Sequence, residues 1–323
     1  MTRTSELPIG VFDSGLGGLD VAAAISQALP QERLLYWGDN ARVPYGTKSP
    51  QTVQNYTYEA SRHLVKRGVK AIMIACNTAS AVVDLRRLSL DLGVPVFGMI
   101  EAGVRACLDR LTTSREVSEN GSAFQSEGHS ISSNRRVILV LATPGTVNSR
   151  AYQDALSARL PSALISAVAC PLFVPLVEMG WAEHELTPSL VVAQLAESDA
   201  LELLLTSINS SPLILLGCTH YPLMASAIER GLSTHLGGSL RCIDGAESAA
   251  LMIKERLSAE GLLRVHHGES ISSLPPSHYA CFTDDLKDSA SLELSTYFWS
   301  QRGGVGDLNV ISVASEPNLS VRS

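Results

Sequence analysis

No two of the six cysteines are spaced as a CxxC pair; they stand apart at Cys76, Cys107, Cys170, Cys218, Cys242 and Cys281. That argues against a zinc site and against a disulfide framework, and leaves reduced thiols in the cytosol as the simplest reading. The chain also lacks a basic run long enough to suggest nucleic acid as a main partner, and its formal net charge is −7. No uninterrupted apolar stretch reaches the ~20 residues of a membrane-spanning helix. Residues 1–8 are short and polar, unlike a signal peptide. What remains is a chain of 323 residues, 45% hydrophobic and 18% charged, the balance of an ordinary globular protein. Its length allows a substantial core, in one large domain or two smaller ones.

Short apolar runs alternate with helix-compatible segments. Residues 9–12, 33–37, 71–74 and 93–98 read as strands, with helices expected over about 21–29, 51–66 and 79–92 between them. The order then repeats. Strands at 137–141, 164–169 and 213–216 are separated by helices past Tyr152, from Thr187 to about Leu205, and from Pro222 to about Gly231. A last strand at 240–243 and a helix over about 246–261 follow. Residues 137–231 thus mirror 9–92 in element order, though not in identity. Such alternation predicts an α/β fold with parallel sheets covered by helices, and ligands that gather beyond the carboxyl ends of the strands. Residues 112–136 are rich in Ser, Glu and Asn and read as a mobile surface loop, and the chain after about Ser300 reads as a poorly ordered tail. His266 and His267 lie in a polar segment with no metal role expected, and no metal site is expected elsewhere.

Two strand ends stand out. Ala71-Ile72-Met73-Ile74 runs into Ala75-Cys76-Asn77-Thr78-Ala79-Ser80, and Leu213-Ile214-Leu215-Leu216 runs into Gly217-Cys218-Thr219-His220-Tyr221-Pro222. Each puts a cysteine at the carboxyl end of a strand and the mouth of a helix, where free backbone N–H groups lower a thiol's pKa from its ordinary value of roughly 8.5. A lone cysteine is ordinarily a small buried hydrophobe. That reading suffices for Cys107, Cys170, Cys242 and Cys281; it accounts less well for Cys76 and Cys218, flanked by Asn77, Thr78, Thr219 and His220.

Two thiols on opposite sides of one substrate suit proton transfer at a carbon. One thiolate removes the proton from one face and the other thiol returns one to the opposite face. Asp13, in the glycine-rich turn Asp13-Ser14-Gly15-Leu16-Gly17-Gly18, and Asp39 fall at strand ends as Cys76 does. With Glu178 and His220 they could tune and reprotonate the thiols. Cys218 and His220, only two residues apart, also leave open a cysteine hydrolase, and a binding protein for acidic amino acids needs neither thiol.

The ordered set of Asp13-Ser14-Gly15-Leu16-Gly17-Gly18, Asp39-Asn40-Ala41-Arg42-Val43-Pro44-Tyr45-Gly46, Cys76-Asn77-Thr78-Ala79-Ser80 and Gly217-Cys218-Thr219-His220-Tyr221-Pro222-Leu223 resembles the bacterial glutamate racemases, within the aspartate/glutamate racemase superfamily. With the turns between, the resemblance covers most of residues 8–260. It implies a cofactor-independent racemase interconverting L- and D-glutamate in the cytoplasm and supplying D-glutamate for peptidoglycan, with no nucleic-acid or membrane partner. It makes Cys76 and Cys218 the two acid/base thiols, Asp13 and Asp39 supports of the first, and Glu178 and His220 supports of the second. Asp13, Ser14, Tyr45, Gly46, Asn77, Thr78, Thr143, Thr146, Thr219 and His220 would line the amino-acid site, with Ser149 nearby.

The fold it implies is two pseudo-symmetric α/β lobes with the site between them. Residues 8–98 plus 240–300 would form the first lobe, 99–239 the second with its loop at 112–136, and 301–323 a flexible tail. Asp20 stands where the family usually has Thr or Ser, and an acid there complements the first helix's dipole. Ala142 replaces a common glycine before Thr143, the loop at 112–136 is longer than usual, and the long N-terminal extension of precursor-activated members is missing. A racemase for aspartate or another amino acid is the alternative within the same fold. The oligomeric state stays open, a homodimer included.

Overall fold

A computed structural model describes residues 4–119, 136–207, 212–238, 240–264, 278–283 and 289–312. The first half runs β1 (Ile9–Asp13), α1 (Leu19–Ala28), β2 (Leu34–Gly38), α2 (Pro50–Lys66), β3 (Ala71–Ile74), α3 (Asn77–Val82), α4 (Leu85–Leu92), β4 (Val96–Gly98) and α5 (Met99–Glu119). The second runs β5 (Val137–Ala142), α6 (Pro144–Ser149), α7 (Ala151–Arg159), β6 (Leu164–Ala169), α8 (Phe173–Glu178), α9 (Thr187–Leu195), α10 (Ala200–Ser207), β7 (Leu213–Gly217), α11 (Ala225–Leu236), β8 (Arg241–Ile243) and α12 (Ala246–Ala259). β9 (His278–Phe282), α13 (Ser289–Gln301) and β10 (Leu308–Ser312) complete it.

Every strand pairing is parallel, in two sheets ordered β10-β9-β2-β1-β3-β4 and β6-β5-β7-β8. The strands β1, β2, β3, β5 and β7 are buried along their whole length, which is why they read as continuous apolar runs rather than alternating ones. The fold is α/β, as the alternation predicts. The repeat is visible in the strand order, since β2-β1-β3-β4 and β6-β5-β7-β8 are the same arrangement used twice.

That repeat corrects the placing of residues 240–243. β8 pairs with β7 in the second sheet, not with the first, because it is the counterpart of β4 and closes the second repeat. α12 then packs against both α1 and α5. The strands added to the first sheet are β9 and β10, at the β2 edge, so the chain beyond residue 300 is not a tail throughout: β10 is in register with β9 from Leu308↔His278 to Ser312↔Phe282. Residues 313–323, and His266 with His267, lie outside the described residues.

Helix boundaries also differ from expectation. The segment 79–92 is two helices, broken where Val83 turns extended and Asp84 caps α4 by accepting the Arg87 N–H at 2.9 Å. The long helix from Thr187 divides into α9 and α10 around Ser198, whose hydroxyl caps the turn. α5 continues to Glu119, into what composition alone makes loop; residues 120–135 lie outside the described residues. Among the described residues, no helix is long and apolar enough to cross a membrane.

Candidate active site

The carboxyl ends of β1, β3 and β7, with the turns that follow β2 and β5, converge on a cavity of about 430 Å³. Cys76 and Cys218 both line it, as do Ser14, Tyr45, Gly46, Asn77, Thr78, Thr143, Glu178, Thr219 and His220. Of the residues expected at the site, Asp13, Asp39 and Thr146 lie one layer behind the wall, each buried.

On the first side, Cys76 is the N-cap of α3. Its sulfur accepts the Ala79 N–H at 3.5 Å, and its thiol reaches Ser14 Oγ at 3.6 Å. The expectation that a helix mouth lowers this thiol's pKa does not hold: burial pushes Cys76 up to about 12, and the neighbouring Asp13 carboxylate adds to the rise. Asp13 is fully buried, and its own pKa is raised by that burial. It accepts the Gly15 N–H at 2.9 Å and the Thr219 hydroxyl at 3.4 Å, so the carboxylate at the end of β1 is tied to the turn that carries Cys218.

Asp39 is buried behind the cavity wall. It accepts Arg42 Nε at 2.7 Å, the Thr283 hydroxyl at 3.0 Å and the Tyr45 hydroxyl. It thereby fixes the loop after β2, whose Tyr45 and Gly46 face the cavity. Gly46 is required there, since a Cβ would lie 2.6 Å from Thr143 Cβ.

On the second side, Cys218 follows β7 and is succeeded by a 3-10 turn, Tyr221–Met224, rather than by a helix opening at Pro222. His220 Nδ1 lies 4.0 Å from Cys218 Sγ and its Nε2 3.2 Å from Glu178 Oε1. Burial opposes the imidazolium, but the hydrogen bonds and charges of Cys218 and Glu178 outweigh it and raise His220 to about 10. At neutral pH the ring is therefore positively charged. The side chain of Glu178 is 39% exposed at the end of α8, while that of His220 is 3% exposed, so the pair joins the buried interior to the cavity mouth.

The two sides meet across hydroxyl groups. Thr78 Oγ1 lies 2.9 Å from Thr143 Oγ1 and 3.2 Å from Thr146 Oγ1, and the last two are 3.0 Å apart. Thr143 caps α6 by accepting the Thr146 N–H. Ser149 donates to the Thr146 carbonyl and stays outside the cavity lining. Tyr152 donates to Asn77 Oδ1 at 2.6 Å, which sets the orientation of that amide.

Sequence reasoning missed Tyr152, because nothing local links it to a residue 75 positions away. It also missed the apolar part of the wall formed by Val43, Pro44, Val174, Pro175 and Met179. The last three flank Glu178, so their proximity to that carboxylate was the available signal. Cys170 is a buried core residue, as the apolar reading has it, and it touches the cavity as well. Among the described residues, no cluster of three or more His, Cys, Asp or Glu side chains is arranged to hold a metal ion.

Comparison with known proteins points to one family. The family model Asp/Glu/Hydantoin racemase matches residues 9–118. The chain is 39% identical over 259 residues to the glutamate racemase of Geobacter metallireducens, covering 79% of this chain and 82% of that one. It resembles the crystal structure of glutamate racemase from Francisella tularensis in complex with D-glutamate, with a TM-score of 0.71 and 28% identity over 96% of this chain and 99% of that one. The structure of the Thermus thermophilus glutamate racemase in complex with β-chloro-D-alanine gives a TM-score of 0.68 and 34% identity, covering 96% and 99% of the two chains. The chain belongs to the glutamate racemase family.

Proposed function

We propose, from that membership and from the cavity, that this protein interconverts L- and D-glutamate without a cofactor, with Cys76 and Cys218 as the two proton-transfer groups. The observation that carries the reading is that both thiols line one cavity, each from a different sheet, close enough for charge on Cys218 to raise the pKa of Cys76. The wall between them offers hydroxyl and amide groups from Ser14, Asn77, Thr78, Thr143 and Thr219, whose donors suit carboxylates and whose oxygens can accept from an ammonium group. Among the described residues, no lysine lines the cavity to form a Schiff base.

In one direction the Cys218 thiolate, beside the charged His220, takes the α-proton and becomes a thiol. Cys76, held protonated by burial, gives its proton to the opposite face and becomes the thiolate. In the reverse direction the roles exchange. Resemblance to the family assigns Cys218 to L-glutamate and Cys76 to D-glutamate. Asp13 and Asp39 serve as positioning groups, and Glu178 with His220 tunes the Cys218 side. The product would supply D-glutamate for peptidoglycan in the cytoplasm.

The test is incubation of the purified protein with pure L-glutamate in D₂O, with no cofactor added. The expected result is decay of optical rotation to zero with α-deuterium in the D product, at a rate unchanged by chelator or hydroxylamine and with aspartate a poor substrate. Loss of the rate on chelation, or an acyl-enzyme trapped at Cys218, would overturn the reading in favour of a metal enzyme or a cysteine hydrolase.

A further inference from the structure

The aromatic ring nearest His220 comes from the far end of the chain. Phe298, on α13, is fully buried and meets the His220 ring edge-on, with centroids 5.7 Å apart and planes at 84°. Three other groups bound that ring: Cys218 at Nδ1, Glu178 at Nε2, and Gly17, where a Cβ would lie 2.8 Å from Nδ1. Each of these belongs to a strand-end turn or to α8, whereas Phe298 arrives on an element added after both repeats.

α13 is held in place by one residue just beyond its end. Arg302 Nε donates to Asp20 Oδ1 on α1 at 2.7 Å, and its Nη2 donates to Asp244 Oδ2, in the turn between β8 and α12, at 2.7 Å. Its carbonyl accepts the side-chain amide of Gln27, also on α1, and the Val305 N–H donates to Ser26 Oγ at 2.9 Å. Arg302 is four positions from Phe298, one turn further along the chain, and its contacts with Asp20 and Gln27 tie the end of α13 to α1. The turn that leads into α1 holds Gly17, close to His220 Nδ1 and Cε1. The clasp therefore fixes Phe298 and Gly17 relative to each other, each beside the His220 ring. Asp20 here is the partner of Arg302 rather than only an acid at a helix N-terminus.

We propose that Phe298 is a positioning residue for His220, and that the Asp20–Arg302–Asp244 clasp holds it there, so that α13 sets the geometry of the Cys218 side and not of the Cys76 side. An aromatic edge against an imidazole restricts rotation about the Cβ–Cγ bond while leaving both ring nitrogens to their partners. The inference rests on the two-thiol reading above.

The experiment uses the full chain and elimination from both enantiomers of a glutamate carrying a chloro group at the β-carbon. Elimination needs only α-proton abstraction; the chloride leaves with the electron pair of its C–Cl bond as the alkene forms. In a Cys76→Ser background only the Cys218 half-reaction remains, and in a Cys218→Ser background only the other. Adding Phe298→Leu should slow the first between about 10- and 100-fold, the range of a misplaced catalytic group, and change the second less than about twofold. Arg302→Lys, which keeps the charge and shortens the reach, should give a smaller loss with the same asymmetry, and serves if Phe298→Leu does not fold. The ¹⁵N resonances of His220 in the otherwise unchanged protein should shift in both variants.

Equal losses in the two backgrounds would mean general damage, and unshifted His220 resonances would mean no contact of consequence; either overturns the proposal. If neither single-cysteine background retains elimination from one enantiomer, the two-thiol reading has failed instead, and the resonances alone then decide the positioning of His220.

Discussion

Cys76 and Cys218 occupy the same place in two copies of one strand order, yet their surroundings are opposite in sign. Cys76 caps a helix, faces the buried Asp13 carboxylate and is held protonated. Cys218 stands before a 3-10 turn and beside a histidine kept charged by Glu178. Repetition of fold sets where a thiol sits; its neighbours set the charge around it. Magnitudes explain why the helix mouth loses at Cys76. A helix N-terminus contributes roughly 0.3–1 kcal/mol, less than one pKa unit, whereas full burial can move a group by about 3–5 units.

The strongest test of this contrast removes each thiol in turn. Cys76→Ser and Cys218→Ser should each lower racemisation by about 10³-fold or more while the circular dichroism spectrum stays unchanged, because a serine hydroxyl is a far weaker acid than a thiol. Each variant should keep elimination for one enantiomer of a β-chloro substrate, and the two should keep opposite ones. If both lost the same enantiomer, the two sides would not be distinct. Next in size is His220→Gln, which removes the imidazolium. It should slow the Cys218 half-reaction by about 10- to 100-fold and leave the other nearly unchanged. Comparable losses on both sides would show that the charge on His220 is shared rather than local.

Gly17→Ala probes where the sides touch. Its Cβ would lie 2.6 Å from Thr219 Oγ1 and 2.8 Å from His220 Nδ1, so the variant should lose about 1–3 kcal/mol in denaturant unfolding, with the activity loss on the Cys218 side. A smaller effect is expected from pH. His220 is raised from 6.5 to about 10 in the fold, so its contribution to stability is complete below 6.5 and is lost as pH rises through 10. The Tm should therefore fall between pH 7 and 10, and by less in Glu178→Gln, whose histidine starts with less charge stabilisation to lose. The smallest expected change is a control away from both thiols: Asp84→Ala should cost about 1 kcal/mol of stability through its lost helix cap and alter neither half-reaction.

Much of this was legible because it is local. Buried parallel strands must be apolar throughout, and residues 71–74 and 213–216 announce both thiols' positions by that rule. Tyr45, Asn77 and Thr219 could be placed because they adjoin those strand ends or the loop after β2. What stayed hidden depends on distance along the chain. Nothing near Asp39 says that Thr283 will share it, and nothing near His220 points to Phe298. β9 and β10 went unread because their apolar runs, Tyr279-Ala280-Cys281-Phe282 and Val310-Ile311, are short and their surroundings carry no clear period. β8 was assigned to the wrong sheet although the repeat, extended by one more strand, places it correctly.

Asp13 has a consequence for anyone who titrates this site. It is one carboxyl touched by both halves: it raises Cys76, accepts from Thr219 and feels the charge of His220. Groups coupled in this way do not release protons one residue at a time; each observed midpoint belongs to the ensemble of microstates. The rate at which an alkylating reagent captures Cys76, followed against pH, should therefore trace a broadened or stepped curve rather than a single sigmoid. Replacing Asp13 with Asn should sharpen that curve, although the carboxyl ends a strand that leads into neither cysteine.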